Sequence, residues 1–193
     1  MRVDRSQRQA LLVETLVTMA DTLVAGYDVP DLLQTLVERS GELLGSSAGG
    51  ILLADADQRL QIVASSNDSV HVVEVMQVAG GSGPCVESYR GGQVVSVPDL
   101  ELEAKWPEFR RVALAEGFRS VHAVPLRLRE TTIGSMNLFG DEPGEMVADD
   151  ITAAQALADV ATIGILQQRA LREASVAQEQ LQRALDSRVV IEQ

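Results

Sequence analysis

The sequence predicts an α+β fold: an antiparallel sheet flanked by helices, with long helices at both ends of the chain. Three observations carry this. Apolar residues recur at 3.6-residue spacing near both ends but alternate or run continuously in the middle. The middle segments come mostly as neighbouring pairs joined by short polar turns. A helical pattern then runs from Ala148 to about Ser187, interrupted only by Gly164.

Residues 6–25 place Leu11, Leu12, Leu16, Met19, Ala20 and Leu23 on one face of an amphipathic helix. Gly26 ends it. Asp28 offers an N-cap for a second helix, with Pro30 and Asp31 in its first turn and Gly45 suited to its C′ position. Leu32, Leu33, Leu36, Val37, Leu43 and Leu44 line that helix.

The period then changes. Ala48 to Ala54 is a short apolar run, read as a buried strand, and Asp55-Ala56-Asp57-Gln58 supplies a turn. Leu60 to Ser65 alternates and returns as the second strand of a hairpin. Residues 69–77 read as a short helix, and 79–84 as a loop rich in Gly. Pro84 suits the start of a helix reaching Arg90, stopped by Gly91-Gly92. Val94 to Val97 is a third strand. Trp106 to Gly117 repeats Trp106, Phe109, Val112 and Ala113 at helical spacing. Two strands follow, Val121–Leu128 and Thr132–Phe139. Pro125 cannot donate to a ladder, which places it at an edge or a bulge. His122, Val124 and Leu126 share one face of the first of these strands.

Asp149 or Asp150 caps the last helix, which at 1.5 Å per residue is roughly 60 Å long. That exceeds a domain of this size, so its far half is expected to project. Leu166, Ala170, Ala174, Ala177, Leu181 and Ala184 form a narrow stripe suited to close helix pairing. A solvated helix is the plainer alternative.

Composition excludes several classes. The 193 residues are 46% hydrophobic, enough to bury a core, yet no apolar run approaches the roughly 20 residues of a membrane span. No signal segment opens the chain, and a cytoplasmic location is expected. A net charge of −12 repels nucleic acid and anionic lipid over most of the surface. One cysteine, Cys85, rules out an intramolecular disulfide, and His71 and His122 cannot alone complete a zinc site. No metal site and no catalytic residue set is assigned. Glu101/Glu103 reads as loop and Asp149/Asp150 as a helix cap. Gly80-Gly81-Ser82-Gly83 lacks a third spaced Gly and a following Lys-Ser/Thr. It reads as a flexible turn, able to act as a lid, rather than a phosphate loop.

Cys85 has two readings. At a helix N-terminus its thiol pKa would fall, which suits a reactive thiol. The plainer reading is a small buried residue where helix meets sheet. His71 is expected to be solvated.

In order and spacing, three pieces resemble the GAF family over residues 10–168. They are Leu32–Val37 before Ala48–Leu53, then Gly83-Pro84-Cys85-Val86-Glu87-Ser88-Tyr89, and then Ser120–Leu126 with its partner Ile133–Phe139. The resemblance implies a GAF-like sensor domain over 1–168 and a signalling or coiled-coil helix over 169–193. Its ligand would lie between one sheet face and a cover spanning about 68–118. Candidate pocket residues are then Met76, Cys85, Tyr89, Trp106, Phe109, His122 and Met136, a mostly apolar set suggesting a small, largely apolar or aromatic ligand. The cofactor is left unknown. Cyclic nucleotides fit poorly, since Arg90 is almost alone as a phosphate partner. Some family members bind haem, a role open to His122, although a core His satisfied by backbone is commoner. Members with methionine sulfoxide reductase activity use more than one Cys, and bilin-binding members attach chromophore at a Cys commonly followed by His. Here Cys85 is single and Val86 follows.

The last residues, Leu181-Gln182-Arg183-Ala184-Leu185-Asp186-Ser187-Arg188-Val189-Val190-Ile191-Glu192-Gln193, resemble the opening helix of an ANTAR domain. That family continues with Ala-Lys-Gly and two more helices, so only the first residues of such a domain are present. The resemblance implies a GAF–ANTAR regulator in which ANTAR binds RNA and controls transcription antitermination. The expectation is a non-enzymatic homodimer that senses an unknown small molecule, with RNA contacted only through the ANTAR part and no membrane partner. A ligand-free dimerisation domain and a Cys85 thiol sensor or enzyme are the alternatives.

Overall fold

The computed structural model describes residues 5–24 and 29–189. The expected stop at Gly26, the cap at Asp28 and the last four residues of the ANTAR-like segment lie outside them. Eleven elements follow in order: α1 (Arg5–Val24), α2 (Val29–Leu44), β1 (Ala48–Ala54), β2 (Leu60–Ser65), α3 (Asp68–Gly80), α4 (Pro84–Gly91), β3 (Val95–Val97), α5 (Pro107–Ala115), β4 (Ser120–Leu128), β5 (Thr131–Gly140) and α6 (Ala148–Val189).

The five strands form one sheet in the order β2-β1-β5-β4-β3, antiparallel throughout. β5 is central because its hairpin with β4 pairs along its whole length, leaving its other edge to β1. Strand alternation then sorts side chains into two cores. On one face Ile51, Leu53, Val124, Leu126, Met136 and Leu138 pack under α2 and α6, joined by Met19 of α1. On the other, Ala48, Val121 and Phe139 meet Val70 and Val73 of α3, with Phe109 and Ala113 of α5. Leu52, Ala54 and Leu60 meet Cys85 and Val86 of α4 on this same side. The sheet is thus covered on both faces, and apolar burial of this kind supplies the main folding drive.

Local chemistry explains the boundaries. Asn67 caps α3 by accepting the Val70 N–H at 2.9 Å, and Gly81 ends it in the left-handed conformation. That helix runs to Gly80, so the Gly-rich loop shrinks to 81–83. Pro84 and Pro107 open α4 and α5, where a missing N–H costs nothing. Pro125 sits on β4 past the three residues that β3 pairs, at a free edge, with a register shift following Leu126. Its carbonyl accepts from the Gln155 side chain at 3.1 Å.

α6 has 42 residues. Ala154, Leu157, Ala158, Ala161 and Ile165 are buried at three- and four-residue steps against the sheet. Arg169 donates to the Ala54 carbonyl at 3.1 Å and marks where the helix leaves the body. From there to Ala184 every residue is exposed. Among the described residues no helix is long and apolar enough to cross a membrane.

Candidate functional site

α3 carries Val70, Val73, Glu74 and Gln77 on its buried face. The first two are apolar; the last two are polar and fully buried. Glu74 reaches the sheet at Gly50, where a Cβ would stand 2.6 Å from its Oε1 and 2.9 Å from Val70 Cγ1. Only a glycine at this point of β1 leaves room for the carboxyl. Asn137 of β5 donates from Nδ2 to Glu74 Oε1 at 2.6 Å. One turn along α3, Gln77 Oε1 accepts the Cys85 backbone N–H at 3.1 Å. Gln77 therefore caps α4 from a neighbouring helix, since Gly83 has no side chain to do so. Gly83 is at φ 148°, and a Cβ there would collide with the Gln77 side chain.

Ser135 and Asn137 face this cluster from β5, and Cys85 faces it from α4. The result is a buried polar patch of Glu74, Gln77, Cys85, Ser135 and Asn137 inside an otherwise apolar layer. Burial pushes the Glu74 carboxyl from 4.5 up to about 8, outweighing the Asn137 hydrogen bond that lowers it. Glu74 is therefore mostly protonated near neutral pH. Burial first, and then the Glu74 charge, hold the Cys85 thiol well above its ordinary value. The expected lowering by the α4 N-terminus does not occur, because desolvation of a thiolate outweighs the field of a two-turn helix whose first free N–H is already bonded to Gln77. Iodoacetamide should leave Cys85 unmodified in the native protein at pH 8 and label it in denaturant. Native labelling at the rate of a free thiol would contradict this burial.

Above the patch, Gly81, Ser82, Gly83, Val86, Glu87, Arg90, Gly91 and Trp106 line an open cleft of about 360 Å³. At its rim Lys105 pairs with Glu87 at 2.6 Å and lies 4.9 Å from the Trp106 ring centre. Glu87 and Arg90 make the cleft polar on one side, so it is less apolar than the sequence suggested.

The seven candidate residues do not share one pocket. Cys85, Trp106 and Phe109 lie on the α3–α5 side, with Met76 half-buried against the cluster that holds Trp106 and Phe109. Tyr89 lies there too, at the surface, donating to Gln58 Oε1 at 2.8 Å. His122 and Met136 do not face that side. Met136 belongs to the α2–α6 core, where Ser40 donates to its Sδ at 3.5 Å. His122 shares the parity of Val124 and pairs with Leu138, so it too faces away from the cleft. Its Nδ1 is 2.7 Å from Ser96 Oγ, and the Gly144 backbone is a second partner. Burial lowers its pKa against the raising effects of Gly144 and Asp150. A ring held in this way is a satisfied core histidine. His71 is exposed. Among the described residues no group of His, Cys, Asp and Glu is arranged to hold a metal.

Sequence reasoning missed Glu74, Gln77, Ser135 and Asn137. The signal was present: Glu74 and Gln77 fall four and seven residues after Val70, on the same helical face, and Ser135, Asn137 and Phe139 alternate along one strand.

Comparison with known proteins agrees with this architecture. The GAF domain family matches residues 26–166. No curated protein sequence matches the chain. Among solved structures, the free methionine-R-sulfoxide reductase of Neisseria meningitidis, in complex with its substrate, aligns at TM-score 0.67 and 17% identity, covering 89% of this chain and 96% of that one. A domain of a two-component sensor histidine kinase protein from Sinorhizobium meliloti aligns at TM-score 0.66 and 17% identity, covering 78% and 99%. The GAF domain of an Acinetobacter phosphoenolpyruvate-protein phosphotransferase aligns at 0.65 and 14%, covering 84% and 97%. At these identities the structural likeness speaks for the fold. The family match covers well over half of the sequence, from the end of α1 to the buried part of α6, and on that ground the chain belongs to the GAF domain family of signal-sensing regulatory domains.

Proposed function

We propose that this chain is the non-catalytic sensor half of a cytoplasmic GAF–ANTAR regulator, with residues 1–168 as the sensor and 169–193 as the signalling helix and the opening of the RNA-binding output. The observation that carries the reading is the continuity of α6. Ala154, Leu157, Ala158, Ala161 and Ile165 lie buried on the sheet, and the same helix runs on to Val189, exposed from Arg169 to Ala184. A shift of packing at the sheet would therefore be transmitted along a rigid rod. The ANTAR-like run begins at Leu181, on this projecting part.

A rod whose exposed Ala170, Ala174, Ala177, Leu181 and Ala184 fall on one side favours pairing with a second copy. Val13 and Val17 of α1 are exposed as well, and helices from two copies would form a bundle. The full-length protein should sediment as a dimer, and Ala174→Glu with Leu181→Glu should shift it to monomer while the melting temperature of the sheet domain stays within a few degrees. A dimer unaffected by both changes removes the rod as the interface. The output is tested by the coding sequence after Gln193. An Ala-Lys-Gly continuation with two more helices, and RNA hairpin binding by the full-length protein, support it. Full-length protein that binds RNA hairpins no more tightly than DNA hairpins of the same sequence would remove the antitermination role.

A further inference from the structure

Among the described residues, five buried side-chain nitrogen or oxygen atoms have no hydrogen-bond partner. Three of them belong to the polar patch between α3 and the sheet: Glu74 Oε2, Gln77 Nε2 and Asn137 Oδ1. With Glu74 ionised, two are acceptors and one is a donor. All three residues are fully buried, so these atoms must be satisfied from within the fold.

A proton on Glu74 solves the larger part of this. Asn137 Nδ2 already donates to Glu74 Oε1 at 2.6 Å. The atoms left over on the same two planar groups are Oε2 and Oδ1. A hydrogen on Oε2 makes it a donor to Oδ1, and acid and amide then close a ring of two hydrogen bonds. Loss of that hydrogen leaves a buried carboxylate with a single donor. The unbonded donor of the patch is Gln77 Nε2, three residues further along the same helical face. Gln77 is already engaged, because its Oε1 accepts the Cys85 N–H at the start of α4.

We propose that Glu74 makes this domain a proton sensor. Protonated, the carboxyl bonds Asn137 through both oxygens, and Gln77 holds α4. Ionised, having lost its proton to water, it draws the Gln77 amide to Oε2, which releases the Cys85 N–H and loosens the 81–83 connection. Gly81, Ser82 and Gly83 line the 360 Å³ cleft, so the change reaches the surface. The inference deepens the sensor reading by naming a rise in pH as the signal, and it rests on that reading.

The surroundings favour the neutral form. β1 presents Gly50, β5 presents Ser135 and Asn137, and β2 carries no ionisable residue. α5 buries Phe109 and Ala113, while its Glu108, Arg110 and Arg111 are not buried. Asp68 and His71 of α3 itself are exposed. The ionisable group facing Glu74 from α4 is the Cys85 thiol, which stays neutral. Burial accordingly places the transition at about pH 8.

Amide hydrogen exchange on the full chain, followed by NMR from about pH 6 to about pH 9.5, tests this. Protection of the Cys85 N–H, corrected for intrinsic pH dependence, should fall about tenfold relative to Met136 as the pH passes about 8. Met136 lies on the central strand, paired on both edges, and reports global opening. In Glu74→Gln, whose amide can make both bonds to Asn137 without titrating, the ratio should stay constant. The infrared difference between wild type and Glu74→Gln should carry the carbonyl stretch of a protonated carboxyl at about pH 6 and lose it at about pH 9.5. A parallel fall at Cys85 and Met136 in the wild type overturns the proposal, and that measurement needs no variant to fold. Equal release in Glu74→Gln, or a carboxylate signature at about pH 6, overturns it too. None of these outcomes touches the dimer and RNA measurements, so the two readings fail separately.

Discussion

Glu74→Gln raises the stability of the unliganded protein, and the gain grows with pH. The carboxyl titrates at 4.5 under ordinary conditions and at about 8 in the fold. Below pH 4.5 both folded and unfolded chains hold the proton, and there is no penalty. Between 4.5 and 8 the unfolded chain releases its proton while the folded one keeps it. Stability then falls by about 1.4 kcal/mol per pH unit, reaching a loss on the order of 5 kcal/mol above pH 8. Glutamine cannot ionise, keeps an oxygen for Asn137 Nδ2 and has nearly the same volume. Its advantage should be small at pH 4.5, about 3 kcal/mol at pH 7 and largest at pH 9. Urea unfolding at those three pH values measures it. A gain independent of pH would mean that this carboxyl titrates like an exposed one.

The second large effect is expected at Gly134. It lies on the central strand β5, paired with Leu53 on one side and Leu126 on the other. A Cβ there would overlap the Leu52 carbonyl oxygen and stand 2.8 Å from Leu53 Cδ2 and 3.1 Å from the Leu52 carbonyl carbon. Two of these three atoms are backbone in a strand bonded on both edges, so they cannot step aside without moving β1. Gly134→Ala should cost about 3 kcal/mol, a large part of an ordinary domain's stability. Gly80→Ala is the control. Nothing lies within 4 Å of its Cβ position, at the last residue of α3, and the change should be neutral or slightly stabilising. Denaturant midpoints compare the two. A Gly134→Ala loss below about 1 kcal/mol would show that β1 and β5 can separate locally.

Most of the elements were legible from local pattern. Helical spacing marks α2 and α5, and continuous apolarity marks β1, because these signals are properties of a segment and its neighbours. Pro125 was legible as an edge or bulge position for the same reason: a missing N–H is a local fact. The α3–α4 connection was misjudged, since Gly80 was read as loop but completes a helix that Gly81 ends, leaving only 81–83 to join the two helices.

The candidate site was less legible. Alternation says that His122, Val124 and Leu126 share a face, but not which helices cover that face. Met136 pairs with Val124 through a register set by the hairpin at 129–130, and both then fall under α2 and α6. Nothing local could assign them away from the cleft. Glu74 and Gln77 failed for the opposite reason. Their helical position was readable, but charge and polarity suggest solvent unless a partner is known, and Asn137 is 63 residues away.

From the sequence alone came the periods, the turns, the length of the terminal helix and hence the fold class, because each depends on residues within a few positions of one another. The tertiary structure alone decided which side of the sheet each strand residue serves, and that a glutamate and an asparagine meet in a space opened by Gly50. Such a meeting depends on how separate segments stack, and on the cost of removing a carboxyl from water, a cost that arises only once the layers have closed.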